Sequence, residues 1–192
     1  MRYFLACFLI FAGIPCFGGG AVFLQKNSGA AQNACGGAVI AKVRGAEAVL
    51  WNPAGISIMG SSVIEASGTY SFENYGAAQG TLSAAFQTED KGNFGFSLET
   101  FNISGIEIFD ESGIYTGEKS STEMVAGIAF ADRMDYRLHY GIGAKFIYHD
   151  LVGYRGIGYS ADIGVIFQPA LEQEIFIAVS LKNIIGGINW GD

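Results

Sequence analysis

Residues 138–149 read Leu138-His139-Tyr140-Gly141-Ile142-Gly143-Ala144-Lys145-Phe146-Ile147-Tyr148-His149. Leu138, Tyr140, Ile142, Ala144, Phe146 and Tyr148 share one parity. His139, Gly141, Gly143, Lys145, Ile147 and His149 share the other. Successive side chains of a strand point to opposite faces, so one face here is aromatic and aliphatic and the other small or polar. Phe94, Phe96 and Leu98 alternate in the same way with Gly95, Ser97 and Glu99. Such runs match the about 9–11 residues of a bilayer-spanning strand.

The same pattern places strands at 62–72, 80–88, 93–103, 121–131, 138–149, 158–168 and 175–184. Connections at 89–92, 132–137 and 169–174 are short and polar. Those at 73–79, 104–120 and 150–157 are generally longer and richer in Gly and Tyr. Outer-membrane barrels have short periplasmic turns and longer outer loops, and a chain entering from the periplasm at Ser62 puts every short connection on that side. The expected fold class is therefore all-β: an antiparallel outer-membrane β-barrel. A soluble sandwich also alternates its faces, but its outward face should be charged. Here the less apolar face is mostly Gly, Ser and Thr, which suits a crowded lumen.

Composition agrees. Charged residues are 15% of the chain, against about 25% in ordinary globular proteins. There are 28 Gly and 3 Pro. With 11 Lys and Arg against 18 Asp and Glu, the net charge is −7. An acidic chain with no basic stripe argues against nucleic acid as a partner.

Residues 1–20 read as a secretory signal. Arg2 is a short basic region, Tyr3 to Phe17 an uncharged apolar run, and Gly18 to Ala21 the small residues before cleavage. An uncleaved anchor helix is the rival, opposed by Pro15 and the glycine triplet. A lipoprotein cleaved at Cys16 is a further alternative, but Pro15 stands where a small residue is expected. Beyond the signal Cys35 is alone, so no disulfide framework is expected.

On the inward face the alternation places Glu65, Glu99, Glu123, His139, Lys145, His149, Asp162 and Lys182. They can neutralise one another across neighbouring strands or line a substrate path. His139 and His149 are ten residues apart, roughly 33 Å along a strand, so they cannot share a metal. No Cys/His cluster has zinc spacing, so no metal and no cofactor are expected. Gly156-Ile157-Gly158-Tyr159-Ser160-Ala161 fits a loose dinucleotide pattern without a surrounding βαβ unit. No G-x-S-x-G elbow is present and nothing in the sequence assembles a nucleophile with a base, so no enzyme is expected. Tyr136, Tyr140, Tyr148, Tyr154, Tyr159, Phe72, Phe130, Phe146 and Phe167 fall near strand ends, as interfacial aromatic girdles do.

Residues 21–60 differ from the rest, being rich in Ala and Gly without alternation. Short helices and turns are expected, ending at Trp51-Asn52-Pro53-Ala54-Gly55. Pro53 biases Asn52 to an extended conformation. Gly29-Ala30, Gly36-Gly37-Ala38 and Gly45-Ala46-Glu47-Ala48-Val49-Leu50-Trp51-Asn52-Pro53-Ala54-Gly55-Ile56 resemble the N-terminal signature of FadL-like outer-membrane proteins, most closely the PorV-like branch. Tyr159 to Val165 and Ser180-Leu181-Lys182-Asn183 also look like that branch. The resemblance covers most of residues 28–190. It implies a barrel of about fourteen strands with the N-terminal segment inside as a hatch, Asn52, Pro53, Ala54 and Gly55 matching the hatch motif. In FadL-type members it implies passage of hydrophobic molecules such as fatty acids, and such transport is the function expected here, with the following role as its alternative. In PorV-type members it implies a shuttle or scaffold for secreted proteins. The chain departs from the pattern at Ala31 to Cys35 and at Lys42-Val43-Arg44, where relatives commonly carry an acidic loop.

Seven strands from residue 61 onward make a partial barrel, since bacterial single-chain barrels use even numbers. Gly186 to Asp192 read as the start of a loop rather than a closing strand. The expectation is a chain that needs a second chain to close it, or a truncated and non-functional product. Its partners would be outer-membrane lipid and a hydrophobic ligand or secreted protein.

Overall fold

A computed structural model describes residues 29–71, 76–88, 92–169, 175–184 and 186–190. The expected signal, and Phe72 of the aromatic set, lie outside the described residues. Eight strands follow a short helical region: β1 Val63–Ser71, β2 Gly76–Phe86, β3 Asn93–Phe109, β4 Tyr115–Arg133, β5 Leu138–Leu151, β6 Tyr154–Phe167, β7 Ile177–Leu181 and β8 Gly186–Trp190. They form one antiparallel sheet in which β1 to β7 neighbour one another in chain order and β8 pairs with β6. The fold is all-β, as the alternation implies.

Two connections differ from expectation. Residues 104–120 are not a long loop: β3 and β4 run on to 17 and 19 residues, pairing with each other as far as Phe109 opposite Tyr115. Gly105 and Gly117, read as loop residues, sit at the register shifts and adopt positive φ there. A bulge absorbs the extra residue without ending the ladder. Between β5 and β6 the turn is only Val152-Gly153, both at positive φ, a conformation in which valine is unusual.

Residues 186–190 are likewise a strand and not a loop. β7 pairs with Ile163–Phe167 and β8 with Gly156–Ser160, so the two lie end to end along one edge of β6. Asn183, at φ 57, makes the break between them. Among the described residues β1 and the β7–β8 edge pair with no further strand.

One face of the sheet exposes large apolar side chains, and the covered face buries polar groups beside an apolar core. Ile64, Leu82, Phe96, Ile128, Phe146, Ile163 and Leu181 are exposed, Ile128 at 58% and Phe146 at 53%. Ser83, Ser97, Lys145, His149, Ser160 and Asp162 are buried, Asp162 at 1%.

The N-terminal segment covers that second face. It holds α1 Ala30–Ala34, α2 Ala48–Trp51 and a 3-10 helix over Pro53–Ile58. Val39, Val43, Val49, Leu50, Trp51 and Ile56 make the core against Ala85, Ala129 and Ala131 of the sheet. Its tethers require a curved sheet. Glu47 N donates to Glu65 of β1, and Ser180 of β7 donates to Trp51 O. Glu47 and Trp51 are one helical turn apart, about 6 Å. Six strand spacings in a flat sheet would separate β1 from β7 by about 29 Å. Side chains of Glu and Ser length cannot bridge that difference, so the sheet wraps the segment.

Candidate functional site

Asn52 caps the 3-10 helix from an extended backbone, φ −153 and ψ 102. Its side-chain oxygen accepts from Ala54 N at 3.2 Å and its amide donates to Ile40 O at 2.9 Å. Pro53 occupies the first helical turn, where a missing N–H costs nothing. Asn52 and Ala54 are 0% exposed, and Pro53 and Gly55 are buried with them. The four residues singled out in the sequence therefore form one buried turn.

Glycines on the sheet admit this turn. A β-carbon on Gly141 would come within 2.5 Å of Ala54 N and Pro53 C. One on Gly164 would collide with the Asn52 side-chain oxygen, and one on Gly95 with Val49 and, at 2.8 Å, Ile56 Cδ1. Three strands thus present bare backbone where the segment needs close approach. Asn93 of β3 adds a hydrogen bond to Ile56 O at 3.3 Å. Arg44, from the departing Lys42-Val43-Arg44 stretch, donates to Ala41 O and Val43 O and lies 4.6 Å over the Phe176 ring. Burial lowers its pKa from the ordinary value.

His139 of β5 holds the end of the 3-10 helix. Its Nδ1 is 2.8 Å from Ser57 Oγ, and Ser57 Oγ donates to Ala54 O at 2.8 Å. A hydroxyl has one proton and a carbonyl only accepts. With Ser57 donating to Ala54 O, the ring that donates to Ser57 ties the segment to β5. Beside it a polar cleft of about 440 Å³ opens between Ser57, Asn93, Arg133, Tyr136, His139 and Gln168.

Further along the same face the structure brings four of the sequence-selected residues into two pairs. Lys145 Nζ is 2.5 Å from Asp162 Oδ2, the side chains 5% and 1% exposed. His149 Nε2 is 3.2 Å from Glu123 Oε1 on the paired strand, and Trp190 of β8 lies 5.1 Å from the His149 ring. The other four meet different groups. Glu65 accepts from Glu47 N, Gln79 donates to Glu99 at 2.9 Å, His139 reaches Ser57, and Lys182 Nζ sits 5.2 Å over the Trp51 ring.

Asn183 is a member that the sequence did not single out. Its N–H donates to Asp162 at 2.8 Å and its side-chain oxygen accepts from Ser160 at 3.2 Å and Lys145 at 3.5 Å. The polar network therefore accounts for the break between β7 and β8. Asn among strand-like neighbours, in a residue type that tolerates positive φ, was the available signal. Ser57 carried none, because any serine on a small-residue face looks alike, and Ser180 was marked only within the Ser180–Asn183 resemblance. Among the described residues no group of three His, Cys, Asp or Glu could hold a metal.

At the turn before β5, Asp135 accepts from Arg137 N and Leu138 N at 2.7 and 2.8 Å. Those hydrogen bonds hold its pKa below the usual carboxylate value. Comparison with protein-family models, with curated proteins and with solved structures found no match.

Proposed function

We propose that this chain is the wall of an outer-membrane β-barrel with a fixed N-terminal hatch, exported through the signal at residues 1–20, and that it acts as a scaffold or shuttle partner for secreted or surface proteins. One observation carries the membrane reading: large apolar side chains are exposed on one face of the sheet while charged ones are buried on the other. In water that arrangement leaves an extended apolar patch uncovered. In a bilayer it puts hydrocarbon against lipid and polar groups in the lumen. Among the described residues no helix is long and apolar enough to cross a membrane, so spanning would rest on the strands.

The partner role is favoured over passage of hydrophobic compounds by what lines the covered face. Lys145–Asp162 and Glu123–His149 pairs, with Ser83 and Ser97, make a poor path for a fatty acid. The hatch is tied to β1, β3, β5 and β7. The second reading, transport of small hydrophobic molecules in the FadL manner, draws on the resemblance of residues 28–190 to that family.

Charge insertion tests the membrane reading. Ile128→Lys and Phe146→Lys should each cost about 2–4 kcal/mol in liposomes, and Met134→Lys in the exposed turn almost nothing. Equal, small effects at all three would indicate a water-facing sheet. Fatty-acid uptake by proteoliposomes separates the two roles: the scaffold reading expects none above protein-free vesicles.

A further inference from the structure

β3 and β4 outrun their neighbours. β2 begins opposite Ser104 and β5 ends opposite Ser121. Residues 105–120 therefore stand as a two-stranded ribbon that no other described strand flanks, projecting about 17–20 Å past the sheet. Such a ribbon is marginal by itself in water, yet the turn at its tip is tightly bonded. Asp110 accepts from Ser112 N at 2.9 Å and Ile114 N at 2.8 Å, and Gly113 turns at φ 77. The tip presents Phe109, Ile114 and Tyr115, each more than half exposed, with Phe109 and Tyr115 edge to face at 5.9 Å.

Charge adds direction. Glu107 and Glu118 are exposed and directly opposite in register, a like-charge pairing that costs stability. Lys119 faces the other side, opposite Ile106, and donates to Val152 O. With Asp110 and Glu111, residues 104–120 carry four acidic groups and one basic, a net −3.

We propose that this ribbon is a docking edge for an extended, basic polypeptide segment, which adds alongside it as a further strand. Unpaired edges supply backbone donors and acceptors for strand addition. Glu107 and Glu118 stand at one level of the ribbon, so they select a Lys or Arg there, and the aromatic tip further along receives the stem of a neighbouring side chain of the added strand. A rigid tip lowers the ordering cost of binding. The inference rests on the scaffold role above and names the chemistry of the partner.

The test uses the full chain refolded in detergent micelles and a fluorescein-labelled peptide of alternating Lys and Val, about six residues long to match the ribbon edge. Fluorescence anisotropy should show saturable binding, weakened about fivefold in Glu107→Gln/Glu118→Gln. The same peptide interrupted by proline should bind at least about tenfold more weakly, because proline cannot donate to a ladder. Phe109→Ser/Tyr115→Ser provides a second variant that leaves the charges in place, and it should also weaken binding. No saturable binding, or equal affinity for the proline peptide, would overturn the proposal, the latter reducing it to general attraction by an acidic chain. A chain that binds no peptide and takes up no fatty acid would lose this edge while the scaffold role stood, so the two failures are distinguishable.

Discussion

Asn52 and Gly164 meet with no space between them: the Asn52 side-chain oxygen occupies the place that a β-carbon on residue 164 would take. The contact joins the buried turn of the N-terminal segment to β6. It explains why a glycine stands in the middle of a strand, where it otherwise weakens the ladder.

Gly164→Ala should therefore destabilise by about 1–3 kcal/mol through overpacking. Asn52→Ala should cost a similar amount, leaving Ile40 O and Ala54 N without their partners. The double variant should cost less than the sum, since Asn52→Ala removes the colliding oxygen. Denaturant unfolding in micelles measures the cycle, and proteolysis of residues 29–60 reports whether the segment has come loose. Strict additivity would mean that the two residues do not press on each other.

The Lys145–Asp162 pair is buried on both sides. Lys145→Met or Asp162→Asn alone should cost about 3–5 kcal/mol by leaving one charge unpaired, whereas Lys145→Met with Asp162→Leu should recover most of that loss. Asn183 would lose Asp162 and Lys145 and keep only Ser160, so β8 should become more labile in the double variant. Hydrogen exchange at Gly186–Trp190 reads this directly.

Val152 sits at φ 59 in the two-residue turn between β5 and β6, followed by Gly153 at φ 102. Asn-Gly is the preferred pair for such a turn. Val152→Asn should stabilise the hairpin by about 1 kcal/mol by relieving β-branched strain. A lower unfolding midpoint in the variant would mean that Val152 makes a contact worth more than the strain.

Asp135 has a folded-state pKa below its unfolded one, because Arg137 N and Leu138 N donate to its carboxylate. Its contribution is present above the unfolded pKa and is lost as pH falls through the lower folded value. Protection of the Arg137 and Leu138 amides, relative to the intrinsic exchange rate at each pH, should hold at neutral pH and fall only in acid below the usual carboxylate range. Asp135→Asn, which keeps an acceptor but does not titrate, should remove that acid step.

The period-2 alternation by itself located the middle of seven strands and which side of each is apolar. These properties are local: parity along one strand assigns its faces before any partner is known. Asn52-Pro53-Ala54-Gly55 was legible for the same reason, since a cap, a fixed φ and a small residue act within one turn. Only the tertiary structure decided which polar residues meet. Parity put Lys145, Asp162, Glu65 and Lys182 on one face alike, but cross-strand register and the docked N-terminal segment gave Lys145 to Asp162, Glu65 to Glu47 N and Lys182 to Trp51. The ribbon beyond Ser104 and the strand at Gly186–Trp190 were hidden because glycines and acidic residues resemble loop in isolation. Pairing with an existing strand, and a bulge or a side-chain network to absorb the irregularity, keeps both of them in the sheet.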